Sequence, residues 1–230
     1  AYWAQIKGVD ILGTGDFTHP AWLKELKEKL QPAETGLFTV KTGLEPSEKN
    51  AFPITSADYT KTRFLLQTEL SCIYKKGNAT RRLHMLIFAP SFEAVEKINS
   101  ALIKRGCNLA SDGRAIIGMD AKELTKIALE SDERCMIVPA HAWTPWFAVF
   151  GSKSGFDSLQ ECFDELTPYI YAIETGLSSD PTMNHQVSAL DNITLLSNSD
   201  AHSCSNLARE ANVFDLPELT YDAVCNAIKE

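Results

Sequence analysis

Residues 193–202 read ITLLSNSDAH and join a short apolar run to a polar turn. Residues 193–196 are mostly apolar and β-branched at two positions, which is typical of a buried strand. Asp200 and His202 follow shortly afterwards, so a carboxylate and an imidazole leave the carboxyl end of that strand. In parallel α/β sheets and barrels, this end carries the active site. The stretch allows two interpretations: a pair of metal or substrate ligands, or a Ser/Asn/Asp turn with a surface histidine.

Strands alternate with helices along the rest of the chain. Patterns typical of strands are found at residues 9–12, 64–74, 83–88, 135–139, 170–174, 193–196 and 213–216. Patterns typical of helices are found at residues 2–7, 20–30, 91–104, 121–130, 156–166, 181–190 and 218–228. Residues 31–60 lack periodicity and indicate a long loop with at most one short strand, whereas residues 76–78 indicate a hairpin turn. The alternation predicts a mostly parallel sheet or a β/α barrel.

Length and composition set the class of protein. A chain of 230 residues that is 44% hydrophobic suits one large α/β domain spanning residues 1–230. No apolar run is long enough to cross a bilayer, and no secretory signal is visible, so no membrane contact is expected. The six cysteines are scattered without a CxxC pair. They predict reduced thiols in a cytoplasmic protein and not a disulfide framework or a zinc ribbon.

Charge is distributed unevenly along the chain. The formal net charge is −8, but residues 61–82 carry +5, which leaves −13 for the remainder. The basic segment, which ends in Arg81 and Arg82, has two interpretations. It forms either a ribbon that meets a phosphate backbone or a solvated hairpin without a partner.

Side chains of the metal-ligand type fall on strands or at strand ends. They are Asp16, His19, Glu69, His84, His141, Asp200 and His202. Of the five histidines, His185 alone lies elsewhere, in a predicted polar helix. Carboxylates together with neutral imidazoles suit Zn²⁺, Mn²⁺ or Fe²⁺ and not Ca²⁺. Several such ligands with a bridging carboxylate predict a multinuclear site that activates a water and neutralises phosphate charge.

Other motifs narrow the chemistry. The sequence contains neither a Gly-rich phosphate loop followed by Lys-Ser/Thr nor a G-x-S-x-G elbow, so no nucleotide cofactor and no Ser–His–Asp catalysis are expected. Arg114 either clamps a substrate phosphate or is a turn residue. Trp143 and Trp146, beside His141, either stack on an extruded base or form a hydrophobic plug. Glu174 ends a strand and is expected to hydrogen-bond to a metal ligand without binding the metal itself.

Six blocks of sequence together resemble a known family. In chain order they are GTGDFTHPAWL (residues 13–23), RRLHMLIF (81–88), SDGR (111–114), PAHAWTPWF (139–147), ETGLSSD (174–180) and NSDAHS (198–203). They resemble the endonuclease Q group of the PHP (polymerase and histidinol phosphatase) superfamily of metal-dependent phosphoesterases. The resemblance implies a DNA repair endonuclease that nicks beside deaminated bases or abasic sites. The substrate class that the resemblance implies is therefore DNA containing damaged bases.

The resemblance also implies a fold and its limits. The expected fold is a distorted seven-stranded β/α (TIM-like) barrel, with up to three divalent metals at the carboxyl ends of the strands. Its first strand, which carries a His-x-His pair, is expected upstream of Ala1. A Cys-rich zinc-binding region and a further DNA-contacting segment are expected after Glu230.

By motif position, the resemblance assigns roles to the ligands. Glu69 bridges two metals, His84 and His141 complete one site, and Asp200 helps to hold another. Asp16 and His202 serve a third metal, with His19 in place of the histidine that many relatives carry directly after the Asp. The expected catalytic residues are Asp200, His202 and Glu69, and the expected substrate contacts are Arg81, Arg82, Arg114, Trp143 and Trp146.

Two other functions remain open on the sequence. A small-molecule phosphomonoesterase of the histidinol-phosphatase type is favoured by the net charge of −8 and disfavoured by the basic segment 61–82. A non-catalytic PHP-like binding module would keep the fold and lack the transition metal.

Overall fold

Strands and helices alternate along most of the computed structural model, which describes residues 1–44 and 59–230. The strands are β1 (Ile11–Gly13), β2 (Leu30–Pro32), β3 (Phe38–Val40), β4 (Arg63–Lys76), β5 (Ala79–Ala89), β6 (Ile116–Ile117), β7 (Met136–Pro139), β8 (Ala172–Glu174) and β9 (Thr194–Leu196). The α-helices are α1 (Tyr2–Lys7), α2 (Pro20–Lys29), α3 (Phe92–Lys104), α4 (Ala121–Ser131), α5 (Leu159–Phe163), α6 (Pro181–Asn184) and α7 (Tyr221–Lys229). None of the helices in the described ranges combines the length and the apolarity needed to span a bilayer.

A long hairpin of β4 and β5 forms the centre of the larger sheet. Its antiparallel register runs unbroken from the pair Leu66–Ala89 to the pair Lys76–Ala79. Gly77, at a φ of 61°, supplies the left-handed backbone that a short hairpin turn needs. The predicted hairpin is therefore present, and both strands are longer than the sequence pattern indicates.

The larger sheet is mostly antiparallel, so the prediction of a mostly parallel sheet is wrong for it. Its seven strands include the path β2-β3-β4-β5-β7, in which each neighbouring pair is antiparallel. Only β1 and β6 run parallel to β4 within this sheet, and β8 and β9 form a separate parallel pair. The tight turn forces this outcome, because parallel strands need a long crossover that a hairpin does not contain. Neither sheet closes in the described parts of the chain, so the predicted TIM-like barrel is not confirmed.

Several predicted elements differ from the structure in extent. Residues 213–216 do not form the predicted strand: Phe214 and Leu216 pack against the core, but Val213 is 97% exposed and no neighbouring strand pairs with them. The predicted helices at 156–166 and 181–190 shorten to α5 and α6. The loop predicted at 31–60 contains part of β2 and all of β3, and its residues 45–58 lie outside the described residues.

Strand alternation divides the apolar side chains of the hairpin between two cores. On one face, side chains pack beneath α3 and α4; they include Leu66, Leu70, Leu83, Met85 and Ile87. On the other face, side chains pack with β7, β9 and α7; they include Leu65, Leu86, Val138, Leu196 and Val224. Because side chains two residues apart share a face, the second face continues from Leu86 to His84.

Tyr221 ties α7 to the second core. The side chain is 1% exposed, and its hydroxyl lies 2.9 Å from the carbonyl oxygen of Arg134 and 3.1 Å from that of Phe88. Gly36, at a φ of 74°, passes so close that a Cβ atom there would lie 2.3 Å from Tyr221 Cβ. The hydroxyl therefore links the last helix to the ends of the central strands.

We expect Tyr221→Phe to lower the free energy of unfolding by about 1–3 kcal/mol, because it removes the donor from two buried carbonyl oxygens while the ring still fills its place. Urea denaturation measures the loss. Tyr169→Phe is the matched control, because Tyr169 is largely exposed and its hydroxyl removal should change stability little. Equal effects of the two variants would contradict a stabilising role for the buried hydroxyl.

Candidate metal centre

Two imidazoles and one carboxylate converge on the second face of the hairpin. In the described parts of the chain, Glu69, His84 and His141 form the group of ligand atoms that all lie within 4.8 Å of one another. His84 Nδ1 lies 2.9 Å from Glu69 Oε1 and 2.9 Å from His141 Nε2. His141 Nε2 lies 3.7 Å from Glu69 Oε1. All three side chains are at least half-buried.

The register of the strands brings these side chains together. Ser71 pairs with His84 across β4 and β5, so Glu69, two residues away on the same face, is a diagonal neighbour of His84. At the end of β7, Ala140 N donates to His84 O at 3.0 Å. The next residue, His141, therefore arrives beside His84.

The charge state of the cluster follows from burial and hydrogen bonding. Burial alone would raise the pKa of Glu69, but hydrogen bonds from His141 and His84 and the positive charge of Arg114 hold it well below its ordinary range. Burial lowers the pKa of His84. Burial would also lower the pKa of His141, yet its bond to Glu69 raises it overall. Glu69 is thus an anion that draws positive charge to this point.

The hydrogen bonds around His141 support a cation site. His141 Nδ1 lies 2.9 Å from Thr144 Oγ1, and that hydroxyl in turn donates to the carbonyl oxygen of Trp146 at 2.9 Å. Because the hydroxyl proton is used there, Thr144 accepts from His141 Nδ1–H, and Nε2 carries the lone pair. Neutral His141 therefore directs a lone pair toward the Glu69 carboxylate. That lone pair can accept from His84 Nδ1–H, 2.9 Å away, or bind a metal ion placed between the imidazoles and the carboxylate.

The separations and the donor types fit a divalent metal. Nitrogen and oxygen ligands about 2.0–2.2 Å from one ion lie about 3 Å apart, close to the distances between these atoms. Ser71 adds a second observation: its Oγ is buried and has no hydrogen-bond partner in the described parts of the chain. It lies on the same face, opposite His84. A buried hydroxyl without a partner costs about 1–3 kcal/mol, so it indicates a water or an oxygen ligand at the cluster.

Glu174 and the nearby Gly176 fix the position of the His141 backbone. Glu174 is buried, and its Oε2 accepts from His141 N at 2.8 Å. Gly176 lies so close that a Cβ atom there would be 2.1 Å from His141 Cβ. The sequence pattern indicates a supporting role for Glu174 but misses Gly176 and Thr144, although both lie inside the motif blocks.

Three predicted ligands have a left-handed backbone. The φ angles are 44° for Asp16, 31° for His141 and 44° for Asp200, each directly or shortly after a strand. For residues other than glycine this conformation is uncommon and costs free energy, so it is retained only where surrounding contacts enforce it. At these strand ends, a strained left-handed backbone therefore sets the direction of the predicted ligand side chain.

Asp16 and Arg114 lie beside the cluster. Arg114 Nη1 donates to Glu69 Oε1 at 3.2 Å. A Cβ atom on Gly113 would lie 2.5 Å from Asp16 Oδ2, so Gly113 allows Asp16 to approach this loop. Burial raises the pKa of Asp16, and the negative charges of Glu69 and Asp112 add to the effect. A second carboxylate near Glu69 is thus in place.

The remaining predicted ligands are not part of the close group. Asp200 is near enough to contribute to the raised pKa of His141. His202 has a side chain that is 72% exposed, and its Nδ1 lies 3.0 Å from Asp200 O. His19 is the N-terminal cap residue of α2 and bonds through its backbone N to Asp16 O at 2.9 Å.

The predicted substrate contacts fall into two groups: side chains held by other residues of the fold, and a Trp–Arg pair whose ring is half-exposed. Trp143 is partly buried: its Nε1 donates to Asn184 Oδ1 at 2.8 Å and its ring lies 4.6 Å from that of Phe150. Arg81 is bound to the Gly155 carbonyl and to Glu161. In contrast, Trp146 is 50% exposed, and the Arg82 guanidinium lies 5.4 Å from its ring centre.

Two solved structures share this fold. The lesion-specific endonuclease PfuEndoQ from Pyrococcus furiosus is 29% identical, with a TM-score of 0.79, over 99% of this chain and 49% of its own. Endonuclease Q in complex with a 27-mer duplex substrate, with an abasic lesion at the active site, is 31% identical, with a TM-score of 0.79, over 99% of this chain and 50% of its own.

Two curated relatives match in sequence. The uncharacterized protein YqxK of Bacillus subtilis (strain 168) is 28% identical over 97% of this chain and 52% of its own length. The uncharacterized protein MJ0043 of Methanocaldococcus jannaschii is 27% identical over 62% of this chain and 13% of its own length. No family model matches. The chain spans about half the length of YqxK and of both endonuclease Q structures. The resemblance to the endonuclease Q group that the motif blocks predict is confirmed, and it extends over nearly the whole chain.

Proposed function

We propose that this chain forms the metal-dependent catalytic part of a DNA repair endonuclease, which hydrolyses a phosphodiester bond beside a deaminated base or an abasic site. The observation that carries the proposal is the convergence of Glu69, His84 and His141 in a fold shared with endonuclease Q. The abasic lesion at the active site of one such structure supports damaged DNA as the substrate.

Glu69, His84 and His141 would hold one divalent ion, of zinc, manganese or iron. Asp16, Asp200, His202 and His19 are the candidates for one or two further ions in a full site. When bound, such ions activate a water as nucleophile and neutralise phosphate charge during in-line displacement. The left-handed turns at Asp16 and Asp200 support this assignment, because they hold two carboxylates at strand ends.

Arg114 is the residue best suited to bind the scissile phosphate. One of its nitrogens donates to Glu69, and its side chain is 38% exposed, so other N–H groups face outward. A guanidinium binds phosphate through two parallel hydrogen bonds. The contact with Glu69 would therefore position a phosphate at the edge of the cluster.

His202 and Asp200 are the candidates for proton transfer at the rim. His202 Nδ1 lies 3.0 Å from the carbonyl oxygen of Asp200, so Nδ1–H donates there and Nε2 is left as an acceptor. An exposed imidazole with a free Nε2 suits a ligand or a general base.

A small-molecule phosphomonoesterase of the histidinol-phosphatase type is the second candidate, since the net charge of −8 does not favour a nucleic acid over a small phosphate ester. The pair formed by Arg82 and the exposed Trp146 argues against it, because a small ester bound at the cluster leaves that pair without a role.

We expect His141→Ala to abolish tight binding of one metal equivalent, because it removes one of the three ligands and leaves only Glu69 and His84. Isothermal titration of the chelator-stripped protein with Zn²⁺ or Mn²⁺, together with elemental analysis, measures the loss. His185→Ala is the control, since His185 is exposed and lies outside the cluster. Unchanged metal content in His141→Ala would refute the assignment. A protein that binds no transition metal at all would favour a non-catalytic binding module.

We expect Gly176→Ala to weaken metal binding by about 10- to 100-fold, the range typical of residues that support metal ligands. The added methyl would overlap His141 and displace its imidazole, and the substitution is also strained at a φ of 59°. Gly43→Ala is the matched control, because Gly43 has a φ of 85° and open space around it. Thermal melting of both variants separates strain from the local effect on His141.

We expect the protein to nick a duplex that contains one abasic site or deoxyuridine, and to lose this activity in Asp200→Ala and His141→Ala. A denaturing gel of an end-labelled duplex detects the nick, and p-nitrophenyl phosphate is assayed in parallel. Hydrolysis of p-nitrophenyl phosphate without nicking would favour the phosphomonoesterase. Nicking that survives both substitutions would overturn the proposed site.

A further inference from the structure

Four basic side chains near the hairpin turn are divided between its two faces. Strand alternation places Lys75 and Arg82 on the face of Glu69 and His84, and places Lys76 and Arg81 on the opposite face. The register is unbroken over this region, so the division does not depend on a bulge. The basic segment of the sequence is therefore two separate groups in space.

The two cations on the opposite face form contacts within the fold. Lys76 Nζ donates to Glu161 O at 2.7 Å and lies 3.3 Å from Asp164 Oδ2. Arg81 donates to Glu161 Oε1 at 3.1 Å, and its guanidinium lies 4.1 Å from the ring centre of Phe156. These two cations anchor α5 to the hairpin and are largely neutralised by acidic partners.

The group on the cluster face has no such partners. Neither Lys75 nor Arg82 forms an ion pair with the part of the chain that the structure describes. Arg82 instead lies over the exposed ring of Trp146. The neighbouring Phe147 has its ring 4.8 Å from that of His84. The unpaired cations are thus continuous with the metal cluster.

The length of this surface indicates a polymer as its ligand. Lys75 pairs with Thr80, four residues from His84 along β5. Four residues of strand span about 13 Å, which corresponds to about four nucleotides at 3.4 Å each. On the other side of β4, Ser71 pairs with the exposed Ile116, and Arg114, which precedes this strand, reaches the cluster through its contact with Glu69. A small phosphate ester at the cluster does not reach Lys75.

We propose that the hairpin face, defined by Lys75, Arg82, Arg114 and Trp146, binds one strand of DNA that runs from the metal cluster toward the turn at Gly77. Phosphates contact Lys75 and Arg82, and a base stacks on Trp146. The inference rests on the proposed function and gives the direction in which the substrate leaves the active site. The chain as a whole carries a net charge of −8, so a local cationic face directs DNA to this path.

The adjacent residues Lys75 and Lys76 provide a matched test. Fluorescence anisotropy measures binding of a labelled abasic duplex between low and moderate salt, with chelator present so that no cleavage occurs. We expect Lys75→Ala and Arg82→Ala each to reduce the slope of log K against log salt by about 0.9. Lys76→Ala removes the same charge from the opposite face and should leave the slope unchanged. Thermal melting identifies any loss of folding in that control.

Trp146→Ala tests the stacking contact. We expect it to weaken binding by about tenfold and to leave the salt slope unchanged, because stacking on a base releases no counterions. Equal slopes in wild type, Lys75→Ala and Arg82→Ala would overturn the hairpin face, even if the protein nicks lesion DNA. Reduced slopes in a protein that never nicks would keep the face and refute the proposed hydrolysis. An absence of DNA binding would overturn both.

Discussion

The antiparallel register of β4 and β5 is the constraint on which the rest of the structure depends. Because side chains alternate between faces, this register brings Glu69 beside His84 and turns Leu70 and Met85 into the opposite core. A slip of one residue in either strand would move that strand's member of the Glu69, His84 and His141 group into the apolar core. The two cores hold the register, since the buried apolar side chains of the hairpin reach their cores only in this alignment.

The second requirement is a close approach of backbones at the strand ends. His141 reaches the cluster only because its backbone adopts a left-handed conformation, which Glu174 stabilises through a hydrogen bond to His141 N. Gly176 permits that approach by having no side chain. The parallel pair β8 and β9 thus positions His141 through the end of β8 and the turn that follows it. Asp200, after β9, is near enough for its charge to help raise the pKa of His141.

Local patterns in the sequence predict the elements well where length and capping agree. Ser91 caps α3 through the N–H of Ala94, and Gly8 ends α1 in a left-handed conformation; both helices lie where the sequence predicts them. The strand predicted at 213–216 is wrong, because period-two alternation also describes an irregular segment that buries alternate side chains. The mostly parallel sheet is wrong for a related reason: alternation of helix and strand does not report strand direction, and a hairpin such as the one predicted at residues 76–78 makes its two strands antiparallel.

The sequence by itself determines which side chains are available for chemistry: carboxylates and imidazoles at strand ends, a basic segment, and motif blocks that resemble endonuclease Q. Their grouping is decided by the tertiary structure. Glu69, His84 and His141 come from three strands or strand ends, and only pairing across the sheet brings their ligand atoms within 4.8 Å. The basic segment is likewise divided only in the folded strands, because neighbouring side chains point to opposite faces. Lys76 therefore forms an ion pair with Asp164, whereas Lys75 is exposed. Spacing along a chain reports residue type and face, whereas proximity depends on register between strands that are distant in sequence.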